Sequence, residues 1–117
     1  MAQYEQFNID QGSDVAIELH LVDASNNPKN LTNFTGAATI KRNYNSDSAD
    51  TTPFTFAINT PTTDGIITLS LTNQQTDALR AGRYVFDTEI QYTDSNGAVI
   101  VERILEGKIV VSPAVTL

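Results

Sequence analysis

The side chain best suited to acid–base chemistry in this sequence is its single histidine, His20, and the chain contains no cysteine. Nucleophilic catalysis near neutral pH needs such a base beside a hydroxyl or a thiol. His20 lies between Leu19 and Leu21 in an alternating apolar run, on the side opposite to the face of Val15 and Ile17. The pattern favours an exposed histidine on a sheet surface over a ligand or partner contact, and disfavours a catalytic base.

Pairs of carboxylates are the second chemical feature, because glycoside hydrolysis uses two of them. Asp87 and Glu89 lie two positions apart on a predicted strand, and we expect Glu102 and Glu106 to project to a common face as well. These are the outward positions of strands whose inward positions are apolar, so strand alternation accounts for the carboxylates without catalysis. The basic residues that could pair with them across a sheet are Arg83, Arg103 and Lys108.

A polar loop at 43–52 contains the remaining candidate ligands. Asn45, Asp47 and Asp50 offer hard oxygen atoms, but the spacing of an EF-hand is absent. No glycine-rich loop is placed to hold a phosphate. We therefore assign no catalytic residue, no metal ligand and no cofactor. Tyr44, Asp47 and Asp50 are candidate loop contacts for a sugar or cell-surface ligand, with Tyr44 as an aromatic platform.

The composition predicts one packed domain, 1–117, with 40% hydrophobic and 18% charged residues. The net charge of −7 argues against general nucleic-acid binding, which relies on lysine and arginine. No apolar run approaches the roughly 18 residues of a membrane span, and the first residues do not resemble a signal peptide. We expect neither nucleic acid nor membrane as a partner.

Hydrophobic periodicity divides the chain into short strands with turns between them. Tyr4, Phe7 and Ile9 could form an edge strand, and 43–52 is a solvated loop. Gly36 indicates a bulge or a close backbone approach, and Gly107 indicates a bulge or a kink. The predicted strands are, in order, 4–9, 15–22, 37–41, 54–58, 67–71, 82–93 and 99–111.

The strongest local signal is a long hairpin from Gly82 to Val111, with Asn96 and Gly97 in its turn. Before it, Thr72 and Gln75 fit the N-cap and N3 positions of a capping box, so we expect a short helix at about 73–79. Gly82 would then supply a left-handed C-cap.

Tyr84 stands early in the penultimate strand, where sandwich domains often place a tyrosine that bonds back to the preceding corner. An ordinary core aromatic residue is the alternative. Together these features predict an all-β fold, an immunoglobulin-like antiparallel two-sheet β-sandwich of about seven strands with one short helix at about 73–79.

The order of several short motifs resembles that of small virion proteins of tailed bacteriophages. It is similar in particular to the immunoglobulin-like N-terminal domain of phage baseplate upper proteins. The likeness extends from about Gln11 to Ser112, and its weight lies in the order of the motifs, since each is weak alone. The motifs are Gln11–Asp14, Leu31–Gly36, Asp64–Thr72, Gln75–Leu79 and Ala81–Tyr84.

The resemblance implies a non-enzymatic structural protein, an adaptor of the tail or baseplate that contacts other virion proteins in multiple symmetric copies. It would reside in the virion, and in the host cytoplasm before assembly. Alternatives are a capsid decoration protein and a carbohydrate or cell-surface binding module. Strand addition would occur at uncovered edges near the chain ends, unless these residues complete their own sandwich. The candidate assembly contacts are Tyr4, Phe7, Ile9, Val115 and Leu117.

Overall fold

Alternating apolar residues fold the chain into two stacked β-sheets, which the computed structural model describes over residues 3–43 and 51–114. A short 3-10 turn precedes the sixth strand, and one short helix follows it. The elements are β1 (Gln3–Asp10), β2 (Val15–His20), β3 (Thr35–Lys41), β4 (Thr51–Pro53), β5 (Thr55–Ile58), β6 (Ile66–Leu71), α1 (Asn73–Asp77), β7 (Gly82–Thr93) and β8 (Val99–Ser112).

The first sheet has the strand order β1-β8-β7-β3-β4, and the second has the order β2-β6-β5. This confirms the predicted all-β sandwich. One pair departs from the predicted antiparallel arrangement: β1 runs parallel to β8, from Gln3 beside Leu105 to Asp10 beside Ser112. A parallel pair needs a long crossover, and here nearly the whole chain lies between the two strands.

The chain crosses from one sheet to the other between β4 and β5, where one strand at 54–58 was predicted. β4 pairs with β3 in the first sheet, and β5 pairs with β6 in the second. The buried ring of Phe54 lies at the crossing, and its N–H donates to the Ala38 carbonyl at 2.9 Å. The predicted loop at 43–52 is therefore wrong at its end, where β4 begins at Thr51. This strand has no apolar pattern, because backbone pairing with β3 does not require apolar side chains.

The core lies between the sheets and is formed by the inward positions of the strands. Residues 84, 86, 88 and 90 of β7 are all buried, as its alternation predicts. Gly36 of β3 allows the Phe56 ring of the opposite sheet to approach, since a Cβ at this position would overlap that ring. Fully buried apolar side chains include Leu31, Ile40, Ile67, Leu69, Ile90 and Ile109.

A β-bulge interrupts the long hairpin of β7 and β8. Thr88 is opposite Leu105 while Glu89 is opposite Arg103, so Ile104 is the extra residue. Gly107 is not the bulge: it has φ 155°, and a Cβ there would overlap the Glu5 carbonyl of β1. The predicted bulge at Gly107 is wrong, because this glycine instead allows the backbone of β1 to approach β8.

The corner before β7 shows the predicted capping box. Thr72 Oγ1 accepts from the Gln75 N–H at 3.2 Å, and the Gln75 side chain accepts from the Thr72 N–H at 2.8 Å. The helix nevertheless ends at Asp77 with a right-handed C-cap at Ala78. The predicted C-cap at Gly82 is wrong, because this residue already belongs to β7.

Tyr84 forms a tyrosine corner, one of the two alternatives for this residue. Its hydroxyl donates to the Arg80 carbonyl at 2.7 Å, and its ring is buried under the Arg42 guanidinium, 4.9 Å from the ring centroid. The hydrogen bond ties the start of β7 to the chain that follows the helix.

Candidate functional site

The structure places His20 on the surface, as predicted. Its Nε2 lies 2.6 Å from Glu18 Oε1, and both side chains are more than half exposed. Imidazole and carboxylate stand on the outward face of β2, two positions apart. This pair is the ordinary contact of neighbouring polar residues on one strand face.

Three carboxylates surround one guanidinium on the outer face of the five-stranded sheet. Arg103 lies 3.4 Å from Asp87, 4.0 Å from Glu89 and 3.8 Å from Glu106. The prediction that Glu106 shares a face with Glu102 is wrong, because the bulge at Ile104 inverts the alternation between them. Pairs this exposed contribute a few tenths of a kcal/mol each.

Glu102 faces the other way and lies 3.9 Å from Lys29 Nζ. Among residues 3–43 and 51–114, no group of three or more histidine, aspartate or glutamate side chains could hold a metal ion. In the same part of the chain no helix is long and apolar enough to cross a membrane.

The candidate loop contacts Tyr44, Asp47 and Asp50 lie outside the described residues, as does Asn45.

The predicted assembly contacts near the start of the chain lie on β1, with very different exposure. Tyr4 is 58% exposed on the outer face of the sheet. Phe7 is half-buried, with its ring 5.6 Å from that of Phe86. Ile9 is 1% exposed and belongs to the core of its own sandwich. The candidates Val115 and Leu117 lie outside the described residues.

The outer edge of β1 has no strand partner within the described ranges. β1 is eight residues long, and its sequence, QYEQFNID, contains no proline, lysine or arginine. Proteins commonly protect edge strands with these residues, with bulges or with short lengths. β4, the opposite edge of this sheet, is three residues long and ends in Pro53. The two edges of the sheet therefore differ sharply in how open they are to pairing.

Between β1 and β2 the sheets separate to leave an open groove of about 320 Å³, which we call the β1–β2 groove. Its apolar lining consists of side chains that pack on the core and stay partly exposed, because no described strand covers this side of the sandwich. These side chains are Phe7, Ile17, Leu19, Leu21 and Ile104.

The polar residues of the groove are acidic or uncharged apart from one histidine. Glu5 lines it from β1, where its carboxylate accepts from the Gln3 side chain at 2.6 Å, and Glu18 lines it with His20 from β2. The sequence patterns do not indicate this groove. The groove exists because β1 pairs with β8, and no described strand covers the edge of β2. The sequence did not indicate it because no local pattern specifies which strand β1 pairs with.

No protein-family model matches the chain, and a search of curated proteins found no match. Among solved structures, murine CRIg is 13% identical, with 92% of each chain covered and a TM-score of 0.54. The chain has an immunoglobulin-like fold. AggA, the major subunit of aggregative adherence fimbriae type I from Escherichia coli, is 8% identical, with 92% of this chain and 89% of AggA covered and a TM-score of 0.43.

Proposed function

We propose that this immunoglobulin-like domain is a non-enzymatic structural component of a tailed bacteriophage particle, an adaptor of the tail or baseplate. The observation that carries the proposal is the open edge of β1. This eight-residue strand exposes one side of its backbone along its length, within the part of the chain that the structure describes. Backbone groups on such an edge pair readily with a strand of another protein.

The sequence motifs that resemble phage virion proteins also support the proposal. Two of them fall at the corner that leads into β7, and a third covers a central strand. The segment Gln75–Leu79 contains most of the capped helical turn, and Ala81–Tyr84 leads into the tyrosine corner. Asp64–Thr72 covers β6, the central strand of the smaller sheet. A domain with well-fixed corners keeps its edge strand in a constant position for a neighbour.

Cryo-electron microscopy of the intact particle that encodes this chain tests the proposal. We expect density for the sandwich at the tail tip or baseplate, with a neighbouring protein against β1. Density at capsid lattice positions would instead make the chain a decoration protein. Absence from the particle would overturn the proposal and favour a soluble binding module.

Two matched variants test whether β1 is the edge in contact. Gln6 and Gln91 are both exposed glutamines, on the edge strand β1 and on the interior strand β7. A lysine on an edge strand discourages further pairing. Gln6→Lys should lower incorporation into particles, and Gln91→Lys should leave it unchanged. Equal incorporation of both variants would exclude the β1 edge.

A further inference from the structure

We propose that the β1–β2 groove receives an extended strand of another protein, in which apolar residues alternate with polar ones and one inward position carries lysine or arginine. The strand would add to the free edge of β1. This inference rests on the proposed assembly role and names the chemistry of the partner.

The backbone geometry permits this addition. β1 pairs with β8 on one side and β2 pairs with β6 on one side, so both described edges that border the groove are free. The side chains of an added strand would alternate between the groove and the outer face. An added strand would also satisfy the outward backbone groups of β1, which is how β-augmentation gains affinity.

The apolar lining gives the added strand a hydrophobic contact. Phe7, Leu19 and Ile104 pack on the core with one side and remain accessible on the other. Covering them would remove apolar surface from water and extend the existing core instead of creating a separate contact. The groove thus favours apolar side chains at the inward positions that face Phe7.

The charge of the groove specifies the type of side chain at the remaining inward position of the added strand. The titratable side chains of the groove are Glu5 from β1 and, from the outward face of β2, Glu18 and His20, whose side chains lie 2.6 Å apart, so each bordering strand contributes a carboxylate. An adjoining hollow of about 400 Å³ does contain two cations, but Lys29 pairs there with Glu102, and Arg103 pairs with Asp87. A cationic side chain between Glu5 and Glu18 would complement the site.

The same charges disfavour a second copy as the occupant. The β1 sequence has Glu5 and Asp10 and no cation, and β2 has Glu18. Each chain also carries a net charge of −7, so two copies repel one another at neutral pH. We therefore assign the groove to a different protein with a basic and apolar segment.

Peptide binding to the purified full chain tests the inference. The probe is an acetylated and amidated peptide of about eight residues, a usual strand length, in which threonine alternates with lysine, isoleucine and valine. Fluorescence anisotropy compares it with a peptide that has glutamate in place of lysine. We expect the glutamate peptide to bind about three- to tenfold more weakly, with a difference that shrinks in high salt. Prolines at two adjacent central positions should abolish binding, because the N–H groups of neighbouring strand residues point to opposite sides and one of the two faces β1.

A charge reversal in the protein provides the second arm. The double variant Glu5→Lys/Glu18→Lys should invert the preference, so that the glutamate peptide binds more tightly. The matched control Asp87→Lys/Glu89→Lys makes the same change of charge on the outer face of the sheet and should keep the original preference. An inverted preference is visible even if overall affinity falls, so partial destabilisation of the variant does not hide it.

Each result is decisive for one of the two proposals. No binding of either peptide, or equal binding of both, overturns the inference, and so does dimer formation by the unliganded chain through β1. If the chain is found in particles and the peptides show no preference, the assembly role stands and the strand chemistry fails. If the preference is found but the chain is absent from particles, the virion role fails and the groove specificity stands.

Discussion

The Tyr84 hydroxyl is the clearest single contact at the residue scale. Removing it in Tyr84→Phe leaves the Arg80 carbonyl without this donor, so we expect the free energy of unfolding to fall by about 1 kcal/mol. Urea denaturation followed by fluorescence measures the change. Tyr92→Phe is the control, because that ring packs on Phe34 with a centroid distance of 4.9 Å and keeps this contact without its hydroxyl. Equal losses in both variants would contradict a special role for the corner.

Two buried threonines make opposite predictions. Thr76 and Thr88 are both 0% exposed. Thr76 Oγ1 donates to the Ser13 carbonyl at 2.8 Å, whereas Thr88 Oγ1 has no hydrogen-bond partner among the described residues. Thr88→Val should raise the free energy of unfolding by about 1 kcal/mol. It removes a buried hydroxyl that forms no hydrogen bond with the described residues to offset its loss of contact with water.

Thr76→Val should lower the free energy of unfolding by about 1–2 kcal/mol, since it breaks the link between the helix and the β1–β2 connection. Thermal and urea unfolding of the two variants, measured side by side, give the comparison. Destabilisation by Thr88→Val as large as that by Thr76→Val would show that the Thr88 hydroxyl has a partner.

At the scale of elements, the attachment of β1 depends on Gly107. An alanine there would place its Cβ against the Glu5 carbonyl, in a backbone conformation with φ 155° that side chains rarely adopt. We expect Gly107→Ala to separate β1 from β8 and to cost more than about 1 kcal/mol. Hydrogen exchange should show loss of protection in β1 and retention in β6.

Gly97→Ala is the matched control, because Gly97 also has a positive φ of 82° but no described atom lies within 4 Å of the position that a Cβ would occupy. This variant should cost about 1 kcal/mol of backbone strain and leave β1 protected. Loss of protection in β1 with both variants would show that global unfolding, and not the close approach at Gly107, is responsible.

The elements also show which parts of the fold are readable from sequence. The alternation of β7 predicts its inward face correctly, and Thr72 and Gln75 predict the capped start of the helix. The bulge at Ile104 was missed, because an apolar residue suits either side of a strand that is partly covered on both. The parallel pairing of β1 was missed because the choice between β8 and another edge is made by tertiary packing, here through Gly107.

The candidate site likewise has features that local sequence patterns predict and a feature that depends on tertiary packing. The exposed position of His20 follows from strand alternation and was predicted. Arg103, which pairs with Asp87 and Glu89, is one of three basic residues that the sequence offered as partners. The β1–β2 groove was not predicted, since it exists because no strand of the described residues lies beside the free edge of β2. A local pattern describes where a side chain points, whereas a groove depends on which strands are neighbours.

At the scale of the whole molecule, charge governs association of the free chain. The net charge of −7 at neutral pH and the absence of cations on β1 predict a monomer of 12.7 kDa at pH 7. Near the sequence pI of about 4.3 the repulsion disappears, so we expect self-association and minimal solubility there. Light scattering across this pH range measures both. A stable dimer at pH 7 would contradict the prediction.

The parallel pairing of β1 with β8 has a mechanical consequence. The chain enters the pair at Gln3, beside Leu105, and leaves it past Ser112, beside Asp10, at the other end. Tension between the two ends of the domain would therefore pull these strands lengthwise in opposite directions. Their hydrogen bonds would be loaded together in a shear geometry and would not break one after another, as they do when a pair is unzipped from one end. The first and last strands form the part of the domain best placed to resist stretching.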